Sequence, residues 1–243
     1  GSRRVDVETE IEWHERQVLL RALFPVNVRS HEATFETMYG AQKRPTHGNT
    51  SWDSTRFEVS AHRYADLSEP GYGVALLNDG KYGHSATGNV LGLSLLRSPM
   101  YPDPLADEGD HHFTYSLFPH QGDWTEAGVV EEAFALNSPL FTAEGTQDGP
   151  HPAESGLVSV EGVEVALGSL KMAEEGNGVI LRLYEPHGAR GECTLRFAHG
   201  VESAERVDLL EETESPVEVL EGKVRLDVRP FEVVTLRLEL TTQ

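Results

Sequence analysis

Alternation of apolar and polar side chains is the feature that most limits how this chain of 243 residues can fold. Between Val5 and Trp13, valine, threonine, isoleucine and tryptophan occupy every second position, and Asp or Glu occupies each position between them. Successive side chains of a β-strand point to opposite faces of a sheet, so this pattern predicts a strand with one face on a core and one in water. A helix would need a period near 3.6 residues, which this stretch lacks.

The same alternation returns along the chain, with turn signals between the runs. Glu161-Gly162 and Glu221-Gly222 each separate two valine-containing runs and predict tight hairpins. The further alternating runs are residues 91–95, 113–117, 179–183, 224–228 and 234–240. Many short strands with glycine-bearing turns, and no regular alternation of strands with helices, predict an all-β fold.

The predicted architecture is a large antiparallel β-sandwich with a smaller C-terminal sheet or sandwich and at most one or two short helices. One helix is predicted after residue 123, because Asp123 and Glu126 have the spacing of a capping box with Asp123 as the N-cap. Apolar residues follow at helical spacing as far as Asn137. Gly128 and the two valines after it leave a second interpretation open, a loop that leads into a strand.

Composition divides the chain into four parts. We expect residues 1–2, Gly-Ser, to be the remnant of a cleaved expression tag. Residues 3–145 are predicted to form the large β-sandwich portion, and residues 156–243 the smaller C-terminal β portion. Between these portions, residues 146–155 are polar and rich in glycine and proline, which predicts a surface loop.

Charge and cysteine content limit the partners and the setting. The chain has 40 acidic and 20 basic residues, a formal net charge of −20. Such a charge repels phosphate backbones and anionic lipids, so neither a nucleic acid nor a membrane is an expected partner. A neutral ligand such as a sugar is compatible with it. Cys193 is the single cysteine, which we expect to be a buried thiol in a reducing, cytoplasmic setting.

Two polar loops are the candidate functional segments. Residues 78–84 and 101–112 each combine carboxylates, a tyrosine and a glycine that lets a ligand approach the backbone. Prolines at positions 99, 102 and 104 stiffen the second loop, and a rigid loop holds a site better than a mobile one. The alternative interpretation is a pair of solvated acidic loops without a ligand.

Residue patterns alone do not select a catalytic or metal site. A glycosidase needs two carboxylates across the bond that it cleaves, and 40 acidic residues offer too many candidate pairs. Asp110, His111, His112 and His120 are close in sequence. Adjacent side chains of a strand point to opposite faces, so His111 and His112 are not expected to share a metal ion. Neither a G-x-S-x-G motif nor a glycine-rich phosphate loop occurs.

Several stretches of the chain resemble the α-mannosidases of glycoside hydrolase family 38. The stretches are EWHER (12–16) followed by FPV (24–26), RPTHGNTSWD (44–53), GVALLNDGKYG (73–83), LSLLRSP (93–99) with PDP (102–104) and DEG (107–109), and FTY (113–115) with PH (119–120). They keep the family's order, and a looser likeness runs to PFE at 230–232. Several long motifs in series are a more specific signal than any single triplet.

The resemblance implies that the chain is the C-terminal, all-β portion of such an enzyme, a sandwich of the mutarotase-like type. In the family, an N-terminal catalytic domain of the same polypeptide carries the aspartate nucleophile and a zinc ion or another divalent metal. None of those motifs is in this sequence. The resemblance therefore implies that this chain holds no catalytic residue and no metal and is inactive alone, while its parent hydrolyses terminal α-mannosides with retention.

The resemblance also implies that the two loops complete a sugar-binding cleft. The candidate residues for lining this cleft are Asp79, Lys81, Tyr82, Tyr101, Asp103 and Asp107. Carboxylates and tyrosine suit sugar hydroxyls, which both donate and accept hydrogen bonds, whereas lysine only donates. The expected partners are the N-terminal catalytic domain and the α-mannoside. A homo-oligomer is a further expectation if the chain exposes an apolar face.

Three positions depart from the family's pattern. The pattern has cysteine at the position of Gly80, an aromatic residue at that of His84 and a larger residue at that of Gly92. These differences concern the shape of the first loop and the strand beside it. The second function hypothesis is a different class of protein, a stand-alone carbohydrate-binding or scaffold module with no catalytic partner.

Overall fold

The alternating stretches form strands, and these strands build antiparallel sheets. The computed structural model describes residues 2–145, 155–176 and 178–241. The chain divides into two units, residues 1–141 and 142–243, each with its own sheets. The predicted all-β fold is confirmed, and the described residues contain two short helices.

The described part of the first unit contains ten strands and two helices. These are β1 (Val5–Trp13), β2 (Leu20–Pro25), β3 (Glu32–Thr37), β4 (Gly40–Pro45), α1 (Ser51–Ser54), β5 (Val59–Ser60), β6 (Tyr64–Glu69), β7 (Tyr72–Asn78), β8 (Gly83–Thr87), β9 (Val90–Leu96), β10 (Gly109–Gln121) and α2 (Val129–Asn137). The strands form a six-stranded sheet in the order β1-β10-β7-β6-β3-β4 and a four-stranded sheet in the order β2-β9-β8-β5.

The two sheets of the first unit enclose one apolar core. Phe35 and Leu76 of the six-stranded sheet are buried together with Leu91 and Leu93 of the four-stranded sheet. The antiparallel pairing of β1 with β10 extends from one end of β1 to the other and turns Ile11 toward this core. Burying side chains from two facing sheets in one layer is the arrangement of a β-sandwich, as the alternation predicts.

Helix α2 covers the opposite face of the six-stranded sheet. Tyr64, Leu77 and Phe118 on that face pack with Trp124 and Val130 in a second, smaller apolar cluster. The six-stranded sheet is therefore covered on both faces over part of its area, which explains the nearly continuous burial of β7.

The predicted N-cap of this helix is wrong. Helix α2 begins at Val129 with Gly128 as its N-cap, and Gly128 has φ +79°, a conformation that favours glycine. Asp123 instead accepts the backbone N–H of Thr125 at 3.1 Å on its side chain and closes a separate turn. The spacing of a capping box is thus present, but it serves a turn that ends before the helix.

The described part of the second unit is a sandwich of nine strands. These are β11 (Val158–Gly162), β12 (Ala166–Met172), β13 (Val179–Tyr184), β14 (Gly191–Phe197), β15 (Val201–Val207), β16 (Thr213–Val217), β17 (Val219–Leu220), β18 (Lys223–Val228) and β19 (Val233–Leu240). Their sheets have the orders β11-β14-β18-β17 and β12-β13-β19-β15-β16. Cys193 and Leu195 of one sheet pack against Leu181 and Leu236 of the other.

Of the two predicted hairpins, one is confirmed and one is wrong. Strands β17 and β18 pair from Leu220 to Lys223 across Glu221 and Gly222, whose φ angles of +52° and +71° are those of a type I′ turn. Strand β11, in contrast, pairs with β14, while β12 pairs with β13 in the other sheet. Gly162 therefore begins a crossing from one sheet to the other.

The predicted loop over residues 146–155 lies outside the described residues except for Ser155, and this boundary stays a prediction. No helix in the described ranges has the length and apolar character that crossing a bilayer requires.

Candidate functional site

The two candidate loops meet at one end of the first unit. The first loop connects β7 to β8, and the second connects β9 to β10. Asn78 at the end of β7 pairs with Tyr115 near the start of β10, and Gly83 at the start of β8 pairs with Ser94 near the end of β9. Both loops therefore leave their sheets at the same end of the unit, and the ammonium group of Lys81 in the first loop reaches the ring of Phe113, which directly follows the second.

Asn78 at the end of β7 shapes the first loop. This side chain is fully buried, and its Oδ1 accepts the backbone N–H groups of Gly80 at 2.9 Å and Lys81 at 2.6 Å. Its Nδ2 donates to the backbone oxygen of His62 at 2.7 Å. A buried amide with these partners holds the loop in one conformation, because breaking any of these bonds leaves a buried polar group unsatisfied.

The side chains predicted in the first loop have separate surroundings. Asp79 accepts the backbone N–H of Thr114 on Oδ2 at 2.8 Å, which ties the loop to β10. The ammonium group of Lys81 lies 4.3 Å from the ring centroid of Phe113, a cation–π contact. Tyr82 is exposed and packs edge-on against the ring of His62. Asp79 thus holds the fold together with one carboxylate oxygen, while Tyr82 remains exposed.

Asp107 organises the second loop. Its Oδ2 accepts the backbone N–H groups of Arg97 and Ser98, each at 2.9 Å, and these two bonds are the main reason that its pKa is lowered. Its backbone oxygen lies 2.8 Å from Nε2 of His111. Because the carboxylate of Asp107 is held by the backbone of its own loop, this residue supports the loop more than it offers a free group to a ligand.

The other two predicted residues of the second loop differ from each other. Asp103 accepts the backbone N–H of Leu105 on Oδ1 at 2.9 Å and closes a local turn. Tyr101 is 87% exposed and projects from the loop. Of the six predicted residues, Tyr101 therefore has the side chain most available to a ligand.

Tyr101 borders a groove with a volume of about 750 Å³. The lining of this groove, called here the Tyr101 groove, consists of Gln17, Leu19, Phe57, Glu58, Arg97, Ser98, Pro99, Met100 and Tyr101. Among these, Tyr101 is the only residue predicted from the sequence. Phe57 is 75% exposed, which no local pattern indicates, because a single apolar residue in a polar stretch is equally consistent with a core position.

The groove lacks the pair of carboxylates that a retaining glycosidase uses. Glu58 is the one carboxylate among the lining residues, whereas that chemistry uses two about 5 Å apart. The histidines considered as metal ligands also have other surroundings: His111 contacts the backbone of Asp107, and His120 lies 2.8 Å from Asp66. Among the described residues at this end, the groove lining thus offers one carboxylate, and these two histidines are engaged elsewhere in the fold.

Comparison with known proteins gives the family. The model of the glycosyl hydrolases family 38 C-terminal domain matches residues 1–105, and that of the family 38 C-terminal beta sandwich domain matches residues 164–236. The chain belongs to glycosyl hydrolase family 38 and corresponds to the C-terminal region of its members. The two matches fall one in each unit of the structure, so both units have counterparts in family 38.

Similar family 38 proteins are longer than this chain. Human Alpha-mannosidase 2C1 is 44% identical over 245 residues, which cover 99% of this chain and 24% of the human protein. Alpha-mannosidase G of Dictyostelium discoideum is 39% identical, with coverages of 98% and 22%. Alpha-mannosidase of Saccharomyces cerevisiae is 36% identical, with coverages of 97% and 24%. The chain thus spans about a quarter of the length of these relatives.

A solved structure supports the fold. The crystal structure of an alpha-mannosidase from Enterococcus faecalis matches with a TM-score of 0.80 at 20% sequence identity. The match covers 98% of this chain and 28% of the bacterial one. At this identity, the likeness concerns the path of the chain and not the chemistry of individual side chains.

The three departures from the family 38 pattern have local explanations. Gly80 has φ +151°, which side chains with a Cβ rarely adopt. His84 is fully buried, and its Nε2 lies 3.2 Å from the Nδ2 of Asn78, so it supports the residue that shapes the first loop. A Cβ at Gly92 would lie 2.5 Å from Oγ of Ser85 and 2.8 Å from Nη2 of Arg21. The glycine at position 92 therefore makes room for the side chain of Arg21.

Proposed function

We propose that this chain is the C-terminal β region of a retaining α-mannosidase and forms one wall of its substrate cleft. An N-terminal part of the same polypeptide would supply the nucleophile, and zinc or another divalent metal bound there would polarise the substrate. The similar alpha-mannosidases support this proposal, because each matches nearly the whole of this chain with only about a quarter of its own length.

The observation that carries the cleft-wall role is the Tyr101 groove beside the two joined loops. It exposes Tyr101 and Phe57, whose rings offer flat apolar surfaces, next to the polar side chains of Arg97, Glu58 and Gln17. A sugar has apolar C–H faces and a rim of hydroxyls that donate and accept hydrogen bonds, and this mixture of side chains matches both.

The chain's own residues would bind and orient the substrate. Asn78 and Asp107 hold the backbones of the two loops through buried or charged hydrogen bonds, and Tyr101 and Tyr82 project from those loops. Pre-ordered loops lower the entropic cost of fixing a substrate for reaction. In this proposal, the reactive carboxylate and the metal belong to the N-terminal part of the polypeptide.

The test compares this chain with the longer coding frame that contains it. We expect the longer protein to hydrolyse an aryl α-mannoside and this chain alone to show no turnover, with or without added zinc. Turnover by this chain alone that disappears in Asp103→Ala would contradict the proposal.

The same comparison separates the second hypothesis. A native start codon near Arg3, together with sugar binding by this chain that is tighter than about 1 mM, would favour a stand-alone carbohydrate-binding module instead. The oligomeric state, measured by light scattering on both proteins, shows whether a homo-oligomer forms only when the N-terminal part is missing, as expected if that part covers an apolar face.

A further inference from the structure

The outer face of the four-stranded sheet carries side chains that the proposed function does not use. Two rows cross this sheet, Arg21–Ser94–Gly83–Ser60 and Leu23–Gly92–Ser85. The rows lie two residues apart along each strand, so they share one face. Leu23 is 56% exposed, which shows that this face points away from the core.

Glycines make room on this face for two charged side chains. A Cβ at Gly92 would lie 2.8 Å from Nη2 of Arg21, and a Cβ at Gly83 would lie 2.3 Å from Oε1 of Glu58. The guanidinium and the carboxylate therefore lie across the strands, over the two glycines, instead of extending into solvent.

These charged groups have few partners of their own. Nη2 of Arg21 donates to Oγ of Ser85 at 2.6 Å, and its Nε is buried without an acceptor. Within the described ranges of the chain, neither Arg21 nor Glu58 takes part in an ion pair. In a protein with 40 acidic residues, an arginine that has no carboxylate partner retains donors for a ligand's oxygens.

The sheet face continues into the Tyr101 groove. Glu58 lies over Gly83 on the sheet and also lines the groove, so the two regions form one surface. The surface thus runs from Arg21 over the two glycines to the exposed rings of Phe57 and Tyr101. A groove of about 750 Å³, even without the sheet face, is in the size range of pockets that hold a ligand larger than one sugar ring.

We propose that the outer face of the four-stranded sheet and the Tyr101 groove together bind an oligosaccharide, the part of a mannoside beyond its terminal sugar. One sugar unit lies against the rings of Tyr101 and Phe57, and the next lies over Gly83 and Gly92. Arg21 donates to its hydroxyls and Glu58 accepts from them. This proposal rests on the proposed function for the class of ligand, and it adds the residues that recognise the rest of the glycan.

The first test titrates this chain with α-linked mannotriose and with methyl α-mannoside, followed by NMR. We expect mannotriose to bind with a Kd of about 1 mM and methyl α-mannoside about tenfold more weakly. Tyr101→Ala and Arg21→Ala should each weaken mannotriose binding about tenfold, the effect of losing one ring contact or one charged hydrogen bond. Tyr72→Ala at the start of β7 and Arg29→Ala, whose backbone N–H donates to Glu69 at the end of β6, change the same residue types at the other end of these strands and should leave mannotriose binding unchanged.

Three results of these titrations overturn the inference. The unmodified chain does not bind mannotriose, the Tyr101→Ala and Arg21→Ala variants bind mannotriose as tightly as the unmodified chain, or the unmodified chain binds the two sugars equally. If instead the Arg21→Ala change weakens association with a separately expressed N-terminal part and leaves sugar binding intact, the face is a protein contact and the inference is also wrong. Thermal unfolding of each variant checks that the fold is retained.

A kinetic test on the longer protein separates this inference from the proposed function. We expect Arg21→Ala to lower kcat/KM about tenfold for mannotriose and to leave kcat/KM for an aryl α-mannoside unchanged, because only the longer substrate reaches the sheet face. Equal effects on both substrates overturn the inference and leave the proposed function standing. Absence of hydrolysis of either substrate by the unmodified longer protein overturns the proposed function.

Discussion

Nε2 of His120 lies 2.8 Å from Oδ2 of Asp66, and both side chains are buried in the six-stranded sheet. Oγ of Ser68 donates to the other oxygen of Asp66 at 2.5 Å. Gly73 is required beside them, because a Cβ there would lie 2.3 Å from Cε1 of His120. Burial raises the pKa of Asp66, and the hydrogen bond from His120 opposes that effect.

The first prediction concerns this pair. His120→Ala should lower the free energy of unfolding by about 3–5 kcal/mol, because it leaves the carboxyl group of Asp66 buried without its main partner. The double variant Asp66→Asn with His120→Gln should lose less free energy of unfolding than the single variants Asp66→Asn and His120→Gln lose together. Urea unfolding of the four proteins measures the coupling, and additive effects would show that the two side chains do not stabilise each other.

The second prediction concerns the pH dependence of stability through His84. Burial lowers the pKa of His84 from 6.5 to about 4, so between these values the unfolded chain binds a proton that the folded chain does not. The free energy of unfolding should therefore fall as the pH is lowered from 6.5 to 4, by about 3 kcal/mol from this residue. His84→Gln should remove that part of the slope in urea unfolding at several pH values.

His14 provides the matched control, because it is exposed at the end of β1. In His14→Gln, His84 is still buried, so the loss of stability on acidification that we assign to His84 should remain. If His84→Gln and the unmodified chain lose stability equally between pH 6.5 and 4, the buried neutral state of His84 is not the cause.

The third prediction concerns Asp107. Asp107→Ala should weaken hydrogen-exchange protection of the Arg97 and Ser98 amides by about 2 kcal/mol, since both lose their charged acceptor. Asp107→Asn should have a smaller effect, because asparagine retains an acceptor oxygen and tolerates the φ of +67° found here.

The same two amides should also respond to acid. The two backbone hydrogen bonds lower the pKa of Asp107 from its ordinary value of 3.8. The protection that its carboxylate gives to the two amides should therefore be complete above pH 3.8, and it should be lost as the pH falls through the lower pKa of Asp107 in the folded chain. Protection of Arg97 and Ser98 that is independent of pH below 3.8 would contradict the assigned role of the carboxylate.

The fourth prediction concerns Glu185 in the second unit. This fully buried carboxylate accepts the backbone N–H groups of His187 and Gly188 at 2.8 Å each and of Phe231 at 3.0 Å. Glu185→Ala should destabilise the second unit by about 3–5 kcal/mol, because buried donors lose their acceptor. The loss of stability in Glu185→Gln should be smaller than in Glu185→Ala, because glutamine keeps one acceptor oxygen. Replacing the exposed Glu202 by alanine should change the stability little. A loss below about 1 kcal/mol in thermal unfolding would contradict this role.

The fifth prediction concerns the hairpin between β17 and β18. Glu221→Asn should stabilise the second unit by about 0.5 kcal/mol, because asparagine adopts the positive φ of a type I′ turn more readily than glutamate. Gly222→Ala should destabilise it by about 1 kcal/mol at φ +71°. Thermal unfolding measures both changes. Destabilisation by Glu221→Asn would show that a contact of the glutamate side chain outweighs the backbone effect.

Much of the secondary structure follows from the sequence because its causes are local. The alternation from Val5 to Trp13 specifies a strand wherever one face is buried, and Glu221-Gly222 specifies a turn through the φ angles of two adjacent residues. The family motifs also identify the candidate loops, although the lining roles of Asp79, Lys81, Tyr82, Asp103 and Asp107 remain predictions.

The tertiary structure decided which strands pair and which side chains are free. Glu161-Gly162 has the composition of a hairpin, yet β11 and β12 join different sheets, because pairing depends on the competing strands β14 and β13. Asp107 and Tyr101 look equally available in the sequence. In the structure, two backbone N–H groups donate to the carboxylate of Asp107, whereas the side chain of Tyr101 is exposed. Periodicity acts between neighbours along the chain, whereas exposure and ion pairing depend on residues far apart in it, and only folding brings those together.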